Sequence, residues 1–180
     1  AANYGRVEMT AFLLKKGANV NLSSSDGATP ISLAVAKNDT ALVKRLASAG
    51  ADLNKVSEGA KHPLTWAMQK GDIELAKFLI EKGADVNARP EGGETALAYA
   101  VKKKDFELVN FLLEKNADPN LSLADGTAPL ERAILDNQSA IALKLVIGGA
   151  DVKKKASAGL PYSFMAYEKG YTYLAEEIIE

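Results

Sequence analysis

The chain contains no cysteine and only one histidine, His62, among 180 residues. Disulfides, thiolate zinc sites and a cysteine nucleophile are therefore excluded. A single imidazole without thiolates leaves no transition-metal cluster to build, and no cofactor is expected. No apolar run approaches the roughly 20 residues that a membrane-spanning helix requires, so membrane insertion is not expected either. Neither sign of charge dominates: 22 Lys and Arg stand against 23 Asp and Glu. That balance creates no global field for nucleic acid or anionic lipid. Composition nowhere breaks, and nothing marks a low-complexity linker or a second domain.

What the chain does contain is a period. One short segment recurs five times at a spacing of 33 residues, as Lys-Gly-Ala-Asn-Val-Asn at 16–21, Ala-Gly-Ala-Asp-Leu-Asn at 49–54 and Lys-Gly-Ala-Asp-Val-Asn at 82–87. It continues as Lys-Asn-Ala-Asp-Pro-Asn at 115–120 and Gly-Gly-Ala-Asp-Val-Lys at 148–153. Its glycine column is Gly17, Gly50, Gly83, Asn116 and Gly149, with no insertion between copies. A constant period of this length implies stacked units, each burying its apolar face only against its neighbours.

A second column keeps the same register. It reads Thr29-Pro30-Ile31-Ser32-Leu33-Ala34, then His62-Pro63-Leu64-Thr65-Trp66-Ala67, then Thr95-Ala96-Leu97-Ala98-Tyr99-Ala100. Ala128-Pro129-Leu130-Glu131-Arg132-Ala133 and Pro161-Tyr162-Ser163-Phe164-Met165-Ala166 follow. Thr29 and Thr95 are suited to cap a helix start, and proline just inside that start already holds the helical φ. Asp39, Asp72 and Asp105 are placed to cap a second helix, with its N-terminus favouring the carboxylate. The uninterrupted alanine column implies helices too close for a larger side chain. Leu75, Leu79 and Ile80, like Leu108, Leu112 and Leu113, form an apolar stripe at helical spacing. Glycine after the last turn supplies a left-handed exit, with Asn116 its usual substitute. Helices are expected at roughly 34–37, 40–48, 64–70, 73–81, 97–103, 106–114, 130–136 and 139–147.

These two motifs together resemble the Thr-Pro-Leu-His-x-Ala and Gly-Ala-Asp-x-Asn signatures of the ankyrin-repeat family, over the whole chain. The resemblance implies an all-α solenoid of helix-turn-helix units with short β-hairpin tips. The units fall at about 1–23, 24–56, 57–89, 90–122, 123–155 and 156–180. The lysine-rich repeats, without cysteine, have a bacterial look. In this register Ala1 falls on the closing alanine of the signature and Glu180 falls on Glu81, so both end units are incomplete. A boundary in flanking sequence explains this, as does removal of an export signal. The default location is cytoplasmic; processing of the N-terminus would make it exported or periplasmic.

Chemistry finds no constellation in this inventory. His62 stands where threonine starts a helix and is expected to bond its neighbouring backbone. Glu176 and Glu177 read as solvated charge at a helix end. Gly92-Gly93 is a hairpin tip lacking the strand-to-helix context of a phosphate loop. The chain is expected not to be an enzyme.

Function is then expected on the surface. The family resemblance implies that a protein partner docks on the concave side, made of tips and the exposed ends of the first helices. Carried over by position, that surface includes Tyr4, Asp26, Lys37, Lys61, Lys70 and Arg89, followed by Glu94, Lys102, Lys103, Asp136 and Lys169. With neighbours about 10 Å apart, six units would offer a groove roughly 50 Å long, ample for a standard interface. Lys37, Lys70, Lys103 and Lys169 share a column broken only by Asp136. Either each lysine only complements the dipole of its helix, or the column is a basic stripe that steers an acidic partner. An alternative patch is aromatic: Tyr162, Phe164, Tyr167, Tyr171 and Tyr173 crowd the last unit, either as a self-packed cap or as a binding site. The principal reading is a non-catalytic protein-binding module, monomeric when alone. An inhibitor or immunity-type protein that blocks an enzyme is the alternative. A third is an accessory binding domain of a longer enzyme or effector.

Overall fold

A computed structural model describes residues 2–55, 61–89, 93–156, 159–173 and 175, with side chains from residue 7 onward in the first helix. Ten helices are present among them: α1 (Ala2–Lys15), α2 (Pro30–Ala36), α3 (Thr40–Ser48), α4 (Pro63–Lys70) and α5 (Ile73–Glu81), then α6 (Ala96–Lys103), α7 (Phe106–Glu114), α8 (Pro129–Leu135), α9 (Ser139–Ile147) and α10 (Tyr162–Glu168). The described residues contain no strand, only one isolated antiparallel bridge between Lys155 and Pro161. The tips at 24–28 and 123–127 are tight turns rather than hairpins, and parts of the others, at 56–60, 90–92 and 157–158, lie outside the described residues. At 24–28 the Ser24 N–H donates to the Ala28 carbonyl at 2.9 Å and the Gly27 N–H donates back to Ser24 O at 2.9 Å.

The chain divides into two compact units, residues 1–90 and 91–180. In the first, α2 pairs with α3 and α4 with α5, while α3 also lies against α1 and α5, and α2 against α4. In the second, α6 pairs with α7 and α8 with α9; α6 and α10 both lie against α8, and α7 lies against α9. Each pair is one 33-residue repeat. The shorter helix comes first and the longer, second helix follows a tight turn.

Capping explains where these helices begin. At α2 the Thr29 hydroxyl accepts from the Ser32 N–H at 3.3 Å, and Ser32 Oγ accepts from the Thr29 N–H at 2.9 Å. Two orphan donors are satisfied reciprocally. Thr95 does half of this at α6, accepting from the Ala98 N–H at 3.1 Å. Asp39, Asp72 and Asp105 accept from the N–H groups of Leu42, Leu75 and Leu108 at 3.1, 3.0 and 3.0 Å, as their spacing implies. His62 departs from expectation. It makes no capping bond, and its buried Nδ1 has no partner among the described residues. Instead the Thr65 hydroxyl donates to the His62 carbonyl at 3.0 Å, and Pro63 with its preset φ starts the helix.

The first repeat also differs. Tyr4, Gly5 and Arg6 occupy the positions of the Lys37-Asn38-Asp39 turn, yet α1 runs through them without a break. Arg6 carries no acceptor, so nothing caps a new helix at that point. Tyr4 therefore lies within α1 rather than at a helix end, and its side chain is outside the described residues.

The core follows the columns. Ala34, Ala67, Ala100, Ala133 and Ala166 are each no more than 1% exposed, so each marks a close helix approach. Leu75, Leu79, Leu108 and Leu112 are fully buried beside them. After the longer helices the chain leaves with positive φ at Gly17, Gly50, Gly83 and Gly149, and at Asn116 with φ 64°.

Candidate partner-binding surface

The tips are organised by short polar side chains. Asp26 accepts from the Ser24 hydroxyl and from the Ala28 N–H at 3.3 Å. The Ser24 bond, followed by the Ala28 bond, holds its carboxyl below the ordinary carboxylate range. Asp125 accepts from the Thr127 N–H at 3.0 Å, the main reason its carboxyl is also lowered. These two tips each present an exposed negative charge whose geometry is fixed by its own turn.

Neighbouring repeats are stapled just behind the tips by asparagines whose role the sequence reading did not assign. Asn21 Nδ2 donates to the Gly50 carbonyl at 3.2 Å while its Oδ1 accepts from the Asp52 N–H at 2.7 Å. Asn54 repeats this with Gly83 and Asp85 at 3.0 and 2.8 Å, and Asn120 with Gly149 and Asp151 at 3.1 and 2.7 Å. Each aspartate in turn accepts from the N–H two residues on, as Asp52 does from Asn54 at 2.9 Å. The signal was a column of asparagines ending at Lys153. We expect Asn54→Ala to lower stability by about 1–2 kcal/mol, the loss of two hydrogen bonds of ordinary net strength. Asn54→Asp, which keeps the acceptor but sets a carboxylate oxygen against the Gly83 carbonyl, should lose at least as much. Urea unfolding of the three proteins checks the order.

The lysine column falls at the ends of the first helices. Lys37 and Lys169 are the C-caps of α2 and α10, while Lys70 and Lys103 are the last residues of α4 and α6. All four are exposed. Lys70 Nζ sits 4.7 Å from the Trp66 ring centroid and donates to Thr40 Oγ1 at 3.3 Å, and Lys103 Nζ sits 5.6 Å from the Tyr99 ring. An aromatic face one turn earlier steadies each cation.

Other expected contact residues are already engaged. Lys102 bridges Glu94 at 2.8 Å, and Asp136 accepts from Arg132 Nε at 2.8 Å. The break in the lysine column is thus a neutralised pair. Lys61 and Arg89 are exposed.

The aromatic patch needs correction. Tyr162 is 2% exposed and belongs to the core; it occupies the column of Pro63, Ala96 and Pro129, all buried. Burial, and behind it the carboxylates of Glu131 and Asp151, pushes its hydroxyl pKa up. Tyr171 is half-buried, whereas Phe164, Tyr167 and Tyr173 are exposed. Tyr167 is 66% exposed, although Val35, Met68, Val101 and Ile134 in its column are buried.

No group of three or more potential metal ligands occurs among the described residues. None of the described helices is long and apolar enough to cross a membrane.

Paired helices repeating every 33 residues, stapled neighbour to neighbour behind polar tips, define a tandem-repeat protein whose columns serve stacking. A family model for ankyrin repeats (3 copies) matches residues 1–90, 40–123 and 64–156. The chain belongs to the ankyrin-repeat family, whose members are generally protein–protein interaction modules. Among solved structures it is similar to an ankyrin repeat domain from Acinetobacter baumannii AYE, with 22% identity, coverage of 99% of this chain and 94% of that one, and a TM-score of 0.71. It is also similar to the ankyrin repeat protein EF0377, with 26% identity, coverage of 95% and 89%, and a TM-score of 0.63. No curated protein sequence matches it.

Proposed function

We propose that this chain is a non-catalytic module that holds a partner protein on its tips and first-helix ends, and that the partner presents acidic groups to the lysine column. The observation that carries this reading is the placement of Lys70 and Lys103, each exposed at a helix end and steadied over an aromatic ring. A dipole-complementing role accounts for a lysine at a helix end. It does not require the charge to be held in one place, which is what a recognition site requires.

The test is kinetic. Lys70→Glu combined with Lys103→Glu should slow association with the captured partner by roughly 3- to 10-fold, with little change in dissociation. The difference should shrink between 0.1 M and 1 M salt, as the Debye length falls from about 10 Å to about 3 Å. The two reversals should together cost about 1–3 kcal/mol, through the helix-end dipoles and the lost ring contacts, so association is read well below the melting temperature of the double variant. Stopped-flow association at two salt concentrations reads both effects. Unchanged rates would return the column to helix-end charge and move the contact to Phe164, Tyr167 and Tyr173.

A further inference from the structure

In the first compact unit, α1 and α2 flank an open groove of about 460 Å³. Met9 and Thr10 line it from α1, Leu33, Ala34 and Lys37 from α2, and Leu42 from α3. Met9 is 59% exposed, although Leu75, Leu108 and Ile141 in its column are buried, and Leu33 is 49% exposed where Trp66 is buried. The equivalent groove one repeat on, between α3 and α4, is occupied by α2, and the one between α7 and α8 by α6. Both occupants are short helices in which a branched apolar residue is followed by alanine and valine three and four positions on. These are Ile31, Ala34 and Val35 in α2, and Leu97, Ala100 and Val101 in α6, all buried. The α1–α2 groove therefore matches a first helix of this pattern, and none of the described helices lies in it. Nor does the chain lead into it. At Lys37-Asn38-Asp39 the chain turns from a first helix into a second, whereas α1 runs straight through the equivalent Tyr4-Gly5-Arg6.

We propose that this groove seats a short amphipathic helix of the partner protein, with a Leu/Ile-x-x-Ala-Val pattern facing inward and an acidic group just beyond its last turn. Recognition of a helix in a groove reads anchors at this spacing. The alanine is required where helices approach closely, as the burial of Ala34, Ala67 and Ala100 shows. Lys37 places the acid. One repeat on, Lys70 lies over the Trp66 ring and reaches back to Thr40 Oγ1, just beyond the end of α2. Lys37 has Leu33 and Val7 in those two places, and its ammonium has no partner among the described residues. An occupant whose end brings a carboxylate there supplies the missing acceptor by charge complementarity. A second copy of the chain has no such helix to lend, because α2, α4, α6 and α8 each already bury their own inward residues.

The proposal deepens the partner-binding reading, which supplies the source of the helix, but its test needs no partner. The probe is a peptide of residues 29–40 carrying Asp39→Asn and Thr40→Glu. A hydrocarbon staple across positions 33 and 37, the side that α2 leaves exposed, holds it helical. It is titrated into the chain labelled with ¹³C at its three methionine methyl groups. Met9 lines the groove, and Met68 is buried in α4. The Met9 methyl signal should shift saturably while those of Met68 and Met165 stay in place. Ala34→Leu in the peptide should abolish the shift, because a larger side chain prevents the close approach. Lys37→Glu in the protein should weaken the probe roughly threefold, the scale of one exposed ion pair, and a probe carrying Thr40→Lys instead of Thr40→Glu should recover that loss. No Met9 shift, equal binding of the Ala34→Leu peptide, or indifference to Lys37→Glu would each overturn the assignment. So would a dimer in sedimentation equilibrium of the chain alone with a concentration-dependent Met9 shift, which would give the groove to a second copy. If Lys37→Glu does not fold, the comparison of the two peptides on the unaltered chain decides alone. Failure here with a positive Lys70/Lys103 result would leave the partner module intact without this groove.

Discussion

Trp66→Ala is expected to cost about 3–5 kcal/mol, the range for emptying a large buried aromatic site. Three features converge on this residue. Its side chain is 3% exposed in α4. Its Nε1 donates to Asn38 Oδ1 at 2.9 Å, reaching the turn between α2 and α3. Its face also carries Lys70. Asn38 holds a left-handed φ of 55°, a region asparagine tolerates, and its side chain there is fixed by the indole N–H. Removing the indole therefore empties a core position and releases a turn in the preceding repeat. Trp66→Phe should lose less, keeping most of the packing while forfeiting the bond to Asn38. Because Trp66 is the sole tryptophan, unfolding should be followed by far-UV circular dichroism rather than by intrinsic fluorescence. A loss below about 1 kcal/mol for the alanine variant would show that the ring is not seated in the core.

The second large effect is expected in the alanine column. Ala67→Leu or Ala100→Leu should cost about 1–3 kcal/mol by overpacking a helix interface. Both positions are fully buried, and a leucine there has to displace a neighbouring helix rather than a flexible side chain. Ala36 provides the control: it closes α2 but is exposed, so Ala36→Leu should change stability by under about 0.5 kcal/mol. Ala28, at a tip, is half-buried and is the weaker control. Equal melting-temperature losses for Ala67→Leu and Ala36→Leu would mean that the two faces of the repeat have been exchanged.

Residues acting within one repeat were the legible ones. Asp72 caps a helix three residues ahead of it, so a fixed offset between aspartate and apolar stripe carries the whole interaction. Ala67 and Leu79 recur at helical spacing, and burial follows from the period. Interactions that join repeats were harder to see. Asn54 bonds to Gly83 and Asp85, and a column of asparagines announces a shared role without saying which backbone groups it meets. Exposure at the last repeat was harder still. Tyr167 shares a column with buried Ile134 yet is exposed, because burial depends on what lies against a column and not on its residue type. Tyr162 misled in the opposite direction. Read with its aromatic neighbours it suggested a patch, whereas read down its own column it belongs with buried Pro63 and Pro129. Glu131 was visible in the motif as an irregularity, but its burial depends on the fold around the tip.

Gly83 carries a φ of 96°, and a methyl group built on its Cα would meet nothing within 4 Å. Room is therefore not what the glycine column protects. What these exits select is chirality: the turn wants a residue at ease in the mirror-image region of backbone space. That explains why Asn116, with a much larger side chain, fills the same place at φ 64°, while a small L-alanine fits the volume but not the hand. The column is a filter on stereochemistry, and a search that scored it by side-chain size would admit alanine and reject asparagine, wrongly in both cases.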